Sequence, residues 1–248
     1  MVYSPFEQFE LTILLPLSWG YMNMSITQET LCFGIILRAW TYLFTSGLGQ
    51  GKVIPGHKQA FLEMIYKFIL SLVEEHLGKA EVRFFPLLLT LFLFVLGANV
   101  LGMMPFSFTV TSHICVTFGL SFSICVGILI LGLMNHGVHF FSSFLPAGTP
   151  LVLAPLLVSI ELVSYTSHAF SLAIRLFANM MAGHALLKIL AGFVWTMWGV
   201  GGFLVPASIF PILIVSAIMV LEMGIAFLQA YVFTVLSCIY IKDAIHLH

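Results

Sequence analysis

Apolar residues are arranged in long runs that are separated by short polar segments. The first run spans about residues 31–48, and two further runs span about residues 84–104 and 113–134. The last two are much longer and span about residues 151–198 and 203–241. A membrane-crossing helix needs about 20 apolar residues, so the first three runs predict single crossings. The last two are about twice that length and predict helices that tilt strongly or break into pieces.

Residues 57–80 have a different pattern, in which apolar side chains recur at i, i+3 and i+4 and charged ones fall between them. This spacing is typical of an amphipathic helix that lies at the membrane surface. The neighbourhood is the most basic part of the chain, with Lys52, Lys58, Lys67, Lys79 and Arg83. The positive-inside rule therefore places it on the cytoplasm-like side of the membrane, which in a mitochondrion is the matrix.

We predict from these patterns an all-α integral membrane protein with four segments. Residues 1–50 hold one N-terminal transmembrane helix, residues 51–83 the amphipathic interfacial helix, residues 84–150 a transmembrane hairpin with its loop, and residues 151–248 a hairpin of two long, strongly tilted helices. Composition agrees, since 60% of the residues are hydrophobic and only 8% are charged, against about 25% charged in soluble proteins. Soluble enzymes and nucleic-acid binders are therefore excluded.

Only six charged residues lie in the apolar second half of the chain, and three of them are candidate functional residues. Thirteen of the Lys, Arg, Asp and Glu residues lie in residues 1–83, and none lies between residues 84 and 160. Glu161, Arg175 and Glu222 follow inside long apolar runs, where a charge near the bilayer centre costs about 2.5–3.5 kcal/mol. Such residues either form salt bridges that hold helices together or line a path for ions or protons, and we favour the path.

The helical repeat places several polar residues of the first long helix on one face. At about 100° per residue, Glu161, His168 and Asn179 all fall within about 40° of Arg175, whereas His184 falls on the opposite face. One face of this helix therefore carries a carboxylate, an imidazole, a guanidinium and an amide. The titratable groups lie on both sides of Arg175 along the helix axis.

Folding the chain back at about Gly201 predicts which residues of the two long helices face each other. Glu222 then faces roughly residue 180, and Arg175 faces roughly residue 227. The resulting clusters are Arg175 with Gln229, Glu222 with His184, and Glu161 with Asp243. Glu and His exchange protons with water, whereas Arg does not deprotonate. The hairpin thus predicts two proton-accessible pockets with a fixed cation between them.

Other candidate sites in the sequence are weaker. His136 and His139 lie in the turn-rich link of residues 135–150 and are interpreted as solvated loop residues, because no third metal ligand lies nearby. The four cysteines match no metal-binding spacing. No cleavable signal is predicted in residues 1–10, no P-loop for a nucleotide is present, and we expect neither a metal nor a cofactor.

The segment from Ser171 to His184, with the sequence Ser-Leu-Ala-Ile-Arg-Leu-Phe-Ala-Asn-Met-Met-Ala-Gly-His, resembles the signature of subunit a of F-type ATP synthases. Four further segments resemble the mitochondrial members, so the resemblance covers nearly the whole chain; they are residues 4–10, 104–113, 145–150 and 240–248. The resemblance implies a non-catalytic stator subunit of the inner mitochondrial membrane. The N-terminus is then expected in the intermembrane space and the C-terminus in the matrix.

The resemblance also implies partners and residue roles. The partners are the c-subunit ring, peripheral-stalk and other membrane-sector subunits, and membrane lipid; protons are transported, no nucleic acid is bound, and ATP chemistry belongs to other subunits. Protons enter by one half-channel, ride on a c-subunit carboxylate and leave by the other. The family's invariant arginine maps to Arg175. The lumen-side groups map to His184 and Glu222, the matrix-side carboxylates to Glu161 and Asp243, and the residues facing the arginine to Asn179 and Gln229.

Two residues depart from the family pattern. His168 stands where many relatives carry Arg, Lys or Gln, and it is expected on the matrix-side path. It either relays protons to Glu161 or only hydrogen-bonds in a polar wall. Arg38 interrupts the first apolar run, and it marks either the end of that span or a contact with another subunit.

The rival interpretation is a self-contained, proton-coupled secondary transporter. It requires a substrate cavity near the bilayer midplane and usually repeated halves, and no internal repeat is evident in the sequence. A purely structural membrane anchor leaves Glu161, Arg175 and Glu222 without a role.

Overall fold

A computed structural model of the chain describes residues 9–10, 12–16, 18–19, 22–23, 25–48, 54–104, 109–137, 154–202 and 204–245. Helices dominate this part of the chain. They are α1 (Gln28–Leu48), α2 (His57–His76), α3 (Phe85–Gly102), α4 (Ile114–His136), α5 (Ala154–Val200), α6 (Leu204–Ala207) and α7 (Ile209–Ile245). Short 3₁₀ turns at Lys79–Phe84 and Val110–Ser112 precede α3 and α4.

Four helical segments are long and apolar enough to cross a membrane: Glu81–Gly102, Ile114–His136, Phe170–Val200 and Val205–Ile245. They confirm the predicted membrane protein, and the helices α3, α4, α5 and α7 that contain them begin and end within a few residues of the last four predicted apolar runs. The 47 residues of α5 correspond to a length of about 70 Å, which exceeds the roughly 30 Å hydrocarbon core. Helix α1 has 21 residues but is not among the four, so its predicted crossing stays a prediction.

Two short hairpins precede α1 and correct the all-α prediction at this end of the chain. Strand β1 (Ile13–Leu15) pairs antiparallel with β4 (Ile26–Thr27), and β2 (Ser18–Trp19) pairs antiparallel with β3 (Met22–Asn23). Strands of two or three residues are too short to show a recognisable alternation of apolar and polar positions. The sequence pattern therefore could not reveal them.

Helix α4 extends two residues into the predicted link of residues 135–150. His136 is the last residue of α4, and its Nε2 lies 2.9 Å from the backbone carbonyl oxygen of Ile245. The predicted solvated loop position for His136 is therefore wrong, because its ring is engaged at the end of α7. His139 and the rest of the predicted loop lie outside the described residues.

The predicted amphipathic helix is present, and part of its apolar surface is buried while another part is exposed. The buried side chains of α2 are Leu62, Ile69, Leu72 and Val73, whereas Phe61 and Met64 are exposed. Phe68 packs against Phe92 and Tyr231, with ring centroids 6.0 Å apart in both pairs. The helix is thus anchored by one apolar stripe, and a second stripe remains on the surface of the chain.

The chain reverses direction at two adjacent glycines, where the sequence predicted the fold-back. Gly201 and Gly202 have φ values of 72° and 64°, a left-handed conformation that glycine adopts without steric cost. The indole Nε1 of Trp198, at the end of α5, donates a hydrogen bond to Ser208 Oγ at 2.8 Å. The short helix α6 then interrupts the chain before α7, with Pro206 inside α6 and Pro211 in the first turn of α7.

Contacts divide the chain into two compact units. The first unit comprises Met1–Ala39, Phe94–His113 and Leu176–Ala230, and the second comprises Trp40–Leu93, Ile114–Arg175 and Tyr231–His248. In the first unit Phe33 of α1 stacks on Phe94 of α3, with ring centroids 5.5 Å apart. In the second unit Phe118 of α4 contacts Phe170 of α5 at 4.9 Å.

Candidate functional site

The carboxylate of Glu222 is buried against a glycine of the facing helix. Glu222 is 9% exposed in the middle of α7, and a Cβ placed on Gly183 of α5 would lie 2.8 Å from its carboxyl carbon. Only a hydrogen atom at residue 183 leaves room for the carboxylate. The fold-back predicted residue 180 opposite Glu222, so the predicted register is correct to within one helical turn.

His184 follows Gly183 directly and therefore lies next to the same contact. Its Nε2 is buried, as is Oε1 of Glu222, and neither atom has a hydrogen-bond partner within the described residues. Glu222 also forms no ion pair in the described part of the chain. A half-buried imidazole and a buried carboxylate without a charged partner among the described residues are typical of groups that exchange protons with water rather than of a structural salt bridge.

Two amides extend this polar interior. Asn99 of α3 is fully buried, and its Nδ2 donates a hydrogen bond to the backbone carbonyl oxygen of Ala226 at 3.3 Å. Gln229, which is 1% exposed, lies on the next turn of α7, and its Nε2 has no hydrogen-bond partner within the described residues. Ala226 lies between Glu222 and Gln229 in sequence. Asn99 therefore meets α7 between the acid and the amide.

Arg175 lies on the surface of α5. It is exposed, and no carboxylate of the described residues forms an ion pair with it. Ala178 and Ala182 are also exposed, at i+3 and i+7 from the arginine, whereas Leu172 and Leu176 are buried. Arg175, Ala178 and Ala182 therefore define one exposed face of α5, which we call the arginine face. Asn179, one turn after Arg175, is half-buried beside this face.

The residues predicted for the matrix side are only partly described. Asp243 is exposed in the last turn of α7. Glu161 and His168 belong to α5 by their backbone, but their side chains lie outside what the structure describes. Their predicted roles stay predictions.

Sequence reasoning missed two residues of this site. Gly183 belongs to the segment from Ser171 to His184. A glycine inside a helix destabilises that helix by about 1 kcal/mol relative to alanine. Its presence there therefore indicates that another side chain approaches the backbone closely. Asn99 is an amide inside an otherwise apolar crossing helix, and a polar side chain in such a helix usually faces the protein interior. Both signals were present in the sequence but were weaker than the isolated charges.

Comparisons with known proteins identify the family of the chain. The family model for the ATP synthase A chain matches residues 28–242. "ATP synthase subunit a" of Marchantia polymorpha is 51% identical, with all of both chains covered. The Brassica napus protein of that name is 49% identical over 99% of this chain and 97% of its own, and the Rhodospirillum rubrum protein is 44% identical over the full length of both. On this evidence the chain belongs to the ATP synthase A chain family.

Proposed function

We propose that this chain is the proton-translocating stator subunit in the membrane sector of an F-type ATP synthase. Two offset aqueous half-channels lead to a ring of c subunits, and Arg175 separates them. Proton flow through the half-channels is coupled to rotation of the ring and so to ATP synthesis. The nucleotide chemistry takes place on other subunits, and this chain needs neither a metal nor a cofactor for its part.

The observation that carries this proposal is the buried pair of His184 and Glu222 at Gly183. Burying a carboxylate inside an apolar helix hairpin costs free energy. Within the described residues no ion pair offsets that cost for Glu222, which favours a functional role over a structural one. The carboxylate and the neighbouring imidazole are both groups that can take up and release protons, whereas an arginine is not. We assign them to the proton-uptake path on the lumen side.

The arginine face supports the proposed contact with the ring. A fixed cation attracts a c-subunit carboxylate and repels free protons, and it cannot deprotonate. The small side chains of Ala178 and Ala182 allow another helix to approach closely. We propose that Asn179 and Gln229 support the guanidinium by hydrogen bonding without neutralising it, and that Glu161, His168 and Asp243 line the release path on the matrix side.

The proposed setting is the mitochondrial inner membrane, with the N-terminus in the intermembrane space and the C-terminus in the matrix. The five basic residues between Lys52 and Arg83 support this orientation through the positive-inside rule. The exposed apolar stripe of α2, with Phe61 and Met64, supports a contact with lipid or with another membrane-sector or peripheral-stalk subunit.

Cross-linking in the assembled complex tests the proposed function. A cysteine in place of Ala178, on the arginine face, should form disulfide cross-links to cysteines placed near the c-subunit carboxylate, because both helices are in close contact. The matched control is Ala191→Cys, which lies on the same helix, is also exposed, and points about 160° away from Arg175. Cross-linking from residue 191 but not from residue 178, or a chain that transports a substrate without a c-ring, would contradict the proposal.

We expect that Gly183→Ala slows ATP-driven proton pumping several-fold while the complex still assembles. The added methyl group occupies the space of the Glu222 carboxylate and forces it away from its position against α5. The control is Gly192→Ala on the same helix, where a Cβ meets no atom within 4 Å. Pumping is measured by the quenching of a pH-sensitive dye in vesicles, normalised to assembled complex. Equal rates for both variants would show that the close contact at residue 183 has no functional role.

A further inference from the structure

A second titratable pair lies at the start of α1. The Oε1 atom of Glu29, in the first turn of α1, is 3.5 Å from Nε2 of His113. His113 is the residue immediately before α4, so the pair joins two elements that are far apart in sequence. The facing atoms Oε1 of Glu29 and Nε2 of His113 are buried, but the two side chains as a whole are 18% and 21% exposed, so water reaches the rest of each side chain. Neither residue belongs to the path described above.

The stacked rings of Phe33 and Phe94 place this pair relative to Asn99. The start of α1 lies beside His113, beyond the end of α3, so α1 runs antiparallel to α3. Glu29 is about 6 Å from Phe33 along α1, and Asn99 is about 7.5 Å from Phe94 along α3, both toward the end of α3. Glu29 and Asn99 therefore lie at nearly the same height on neighbouring helices.

Polar atoms continue from this pair to the buried acid. Oγ1 of Thr111, Oδ1 of Asn99 and Oε1 of Glu222 are buried and have no hydrogen-bond partner in the described part of the chain. These residues lie, like Glu29 and His184, in one compact unit. Buried polar atoms of this kind are hydrated in folded proteins, because leaving them unsolvated is costly. Asn99 then connects to α7 through its hydrogen bond to Ala226, one turn from Glu222.

We propose that Glu29 and His113 form the outer proton-exchange station of the uptake path. The pair takes a proton from water at the lumen-side surface and returns one to water near Thr111 and Asn99, from which it reaches His184 and Glu222. Uptake adds one proton to the pair and release removes one, so the two steps together leave it in its starting protonation state. This inference rests on the proposed function, and it adds α1 and the residue before α4 to the proton path.

Substitution of either member should slow proton flux in the intact complex. Glu29→Gln and His113→Gln keep hydrogen-bonding groups of similar size but remove the group that takes up and releases a proton. Each variant should therefore lower ATP-driven pumping several-fold per assembled complex. The double variant should be no slower than the slower single variant, because both residues act at one step. Glu75→Gln and His57→Gln, on the exposed surface of α2, are the matched controls and should pump like the parent.

A residue exchange separates proton transfer from a merely structural contact. The variant carrying both Glu29→His and His113→Glu retains a carboxylate and an imidazole at the pair and should restore most of the flux. Failure of the exchange in a complex that assembles normally would mean that the pair only fixes α1, and the proposal would be overturned. Assembly is measured for every variant by the amount of c subunit that co-purifies.

The same assay distinguishes failure of this inference from failure of the proposed function. Glu222→Gln is measured beside the new variants. Parent-like flux in Glu29→Gln and His113→Gln with slow flux in Glu222→Gln would reject the outer station and leave the proposed function standing. If Glu222→Gln also showed parent-like flux, the proposed uptake path through Glu222 would be rejected.

Discussion

Arg175→Ala should abolish ATP-driven proton pumping while leaving the complex assembled. The guanidinium is exposed on α5 and forms no ion pair within the described residues, so its removal leaves no buried carboxylate unpaired in the part of the chain that the structure describes. The fold should therefore tolerate the change. What is lost is the fixed cation of the arginine face, and the proposed barrier between the half-channels disappears with it. Pumping and passive proton leak are both measured in vesicles, and the leak should rise.

Arg175→Lys should also fail, although it preserves the charge. A lysine ammonium is a compact, hydrated point charge that can lose its proton when desolvated, whereas the planar guanidinium stays charged and presents a fork of donors. The control is Arg83→Ala, which removes an exposed cation whose pair with Glu81 lies on the surface. Such pairs contribute about 0–1 kcal/mol, so this variant should pump normally. Normal pumping by assembled Arg175→Ala complexes would refute the barrier role.

Glu222→Gln should slow proton flux by at least about tenfold. A positioned acid or base typically speeds a proton transfer by about 10²–10⁴-fold. Water near residue 222 would replace part of that contribution. Glutamine has the same shape as glutamate, so the packing against Gly183 is preserved and assembly should be normal. The amide cannot take up or release the transported proton. The expected loss is therefore one of flux and not of stability.

Flux through Glu222→Gln is measured in both directions, as ATP-driven pumping and as ATP synthesis driven by an imposed pH gradient. Both should fall together, because one path serves both. Glu75→Gln, an exposed carboxylate on α2, is the matched control. An unchanged rate in either direction would exclude Glu222 from the path.

The residues proposed to be functional divide according to the kind of signal that revealed them. Glu222, Arg175 and His184 were predicted because titratable residues inside long apolar runs are conspicuous in sequence. Asn99 and Gly183 were missed because their importance depends on what they contact. The hydrogen bond from Asn99 to Ala226 joins residues 127 positions apart, and no local pattern encodes such a pair. Glu29 and His113 were missed for the same reason.

The linear sequence by itself determined the membrane class, the long helices and the register of the α5–α7 hairpin near Glu222. These features follow from local quantities, namely the length of apolar runs and a glycine pair that accepts positive φ. Only the tertiary structure decided which face of α2 is buried, that Gly183 makes room for Glu222, and that α1 joins the polar interior through Glu29. Each of these depends on the packing of distant elements, because burial and hydrogen bonding are properties of the surroundings of a side chain and not of the side chain alone.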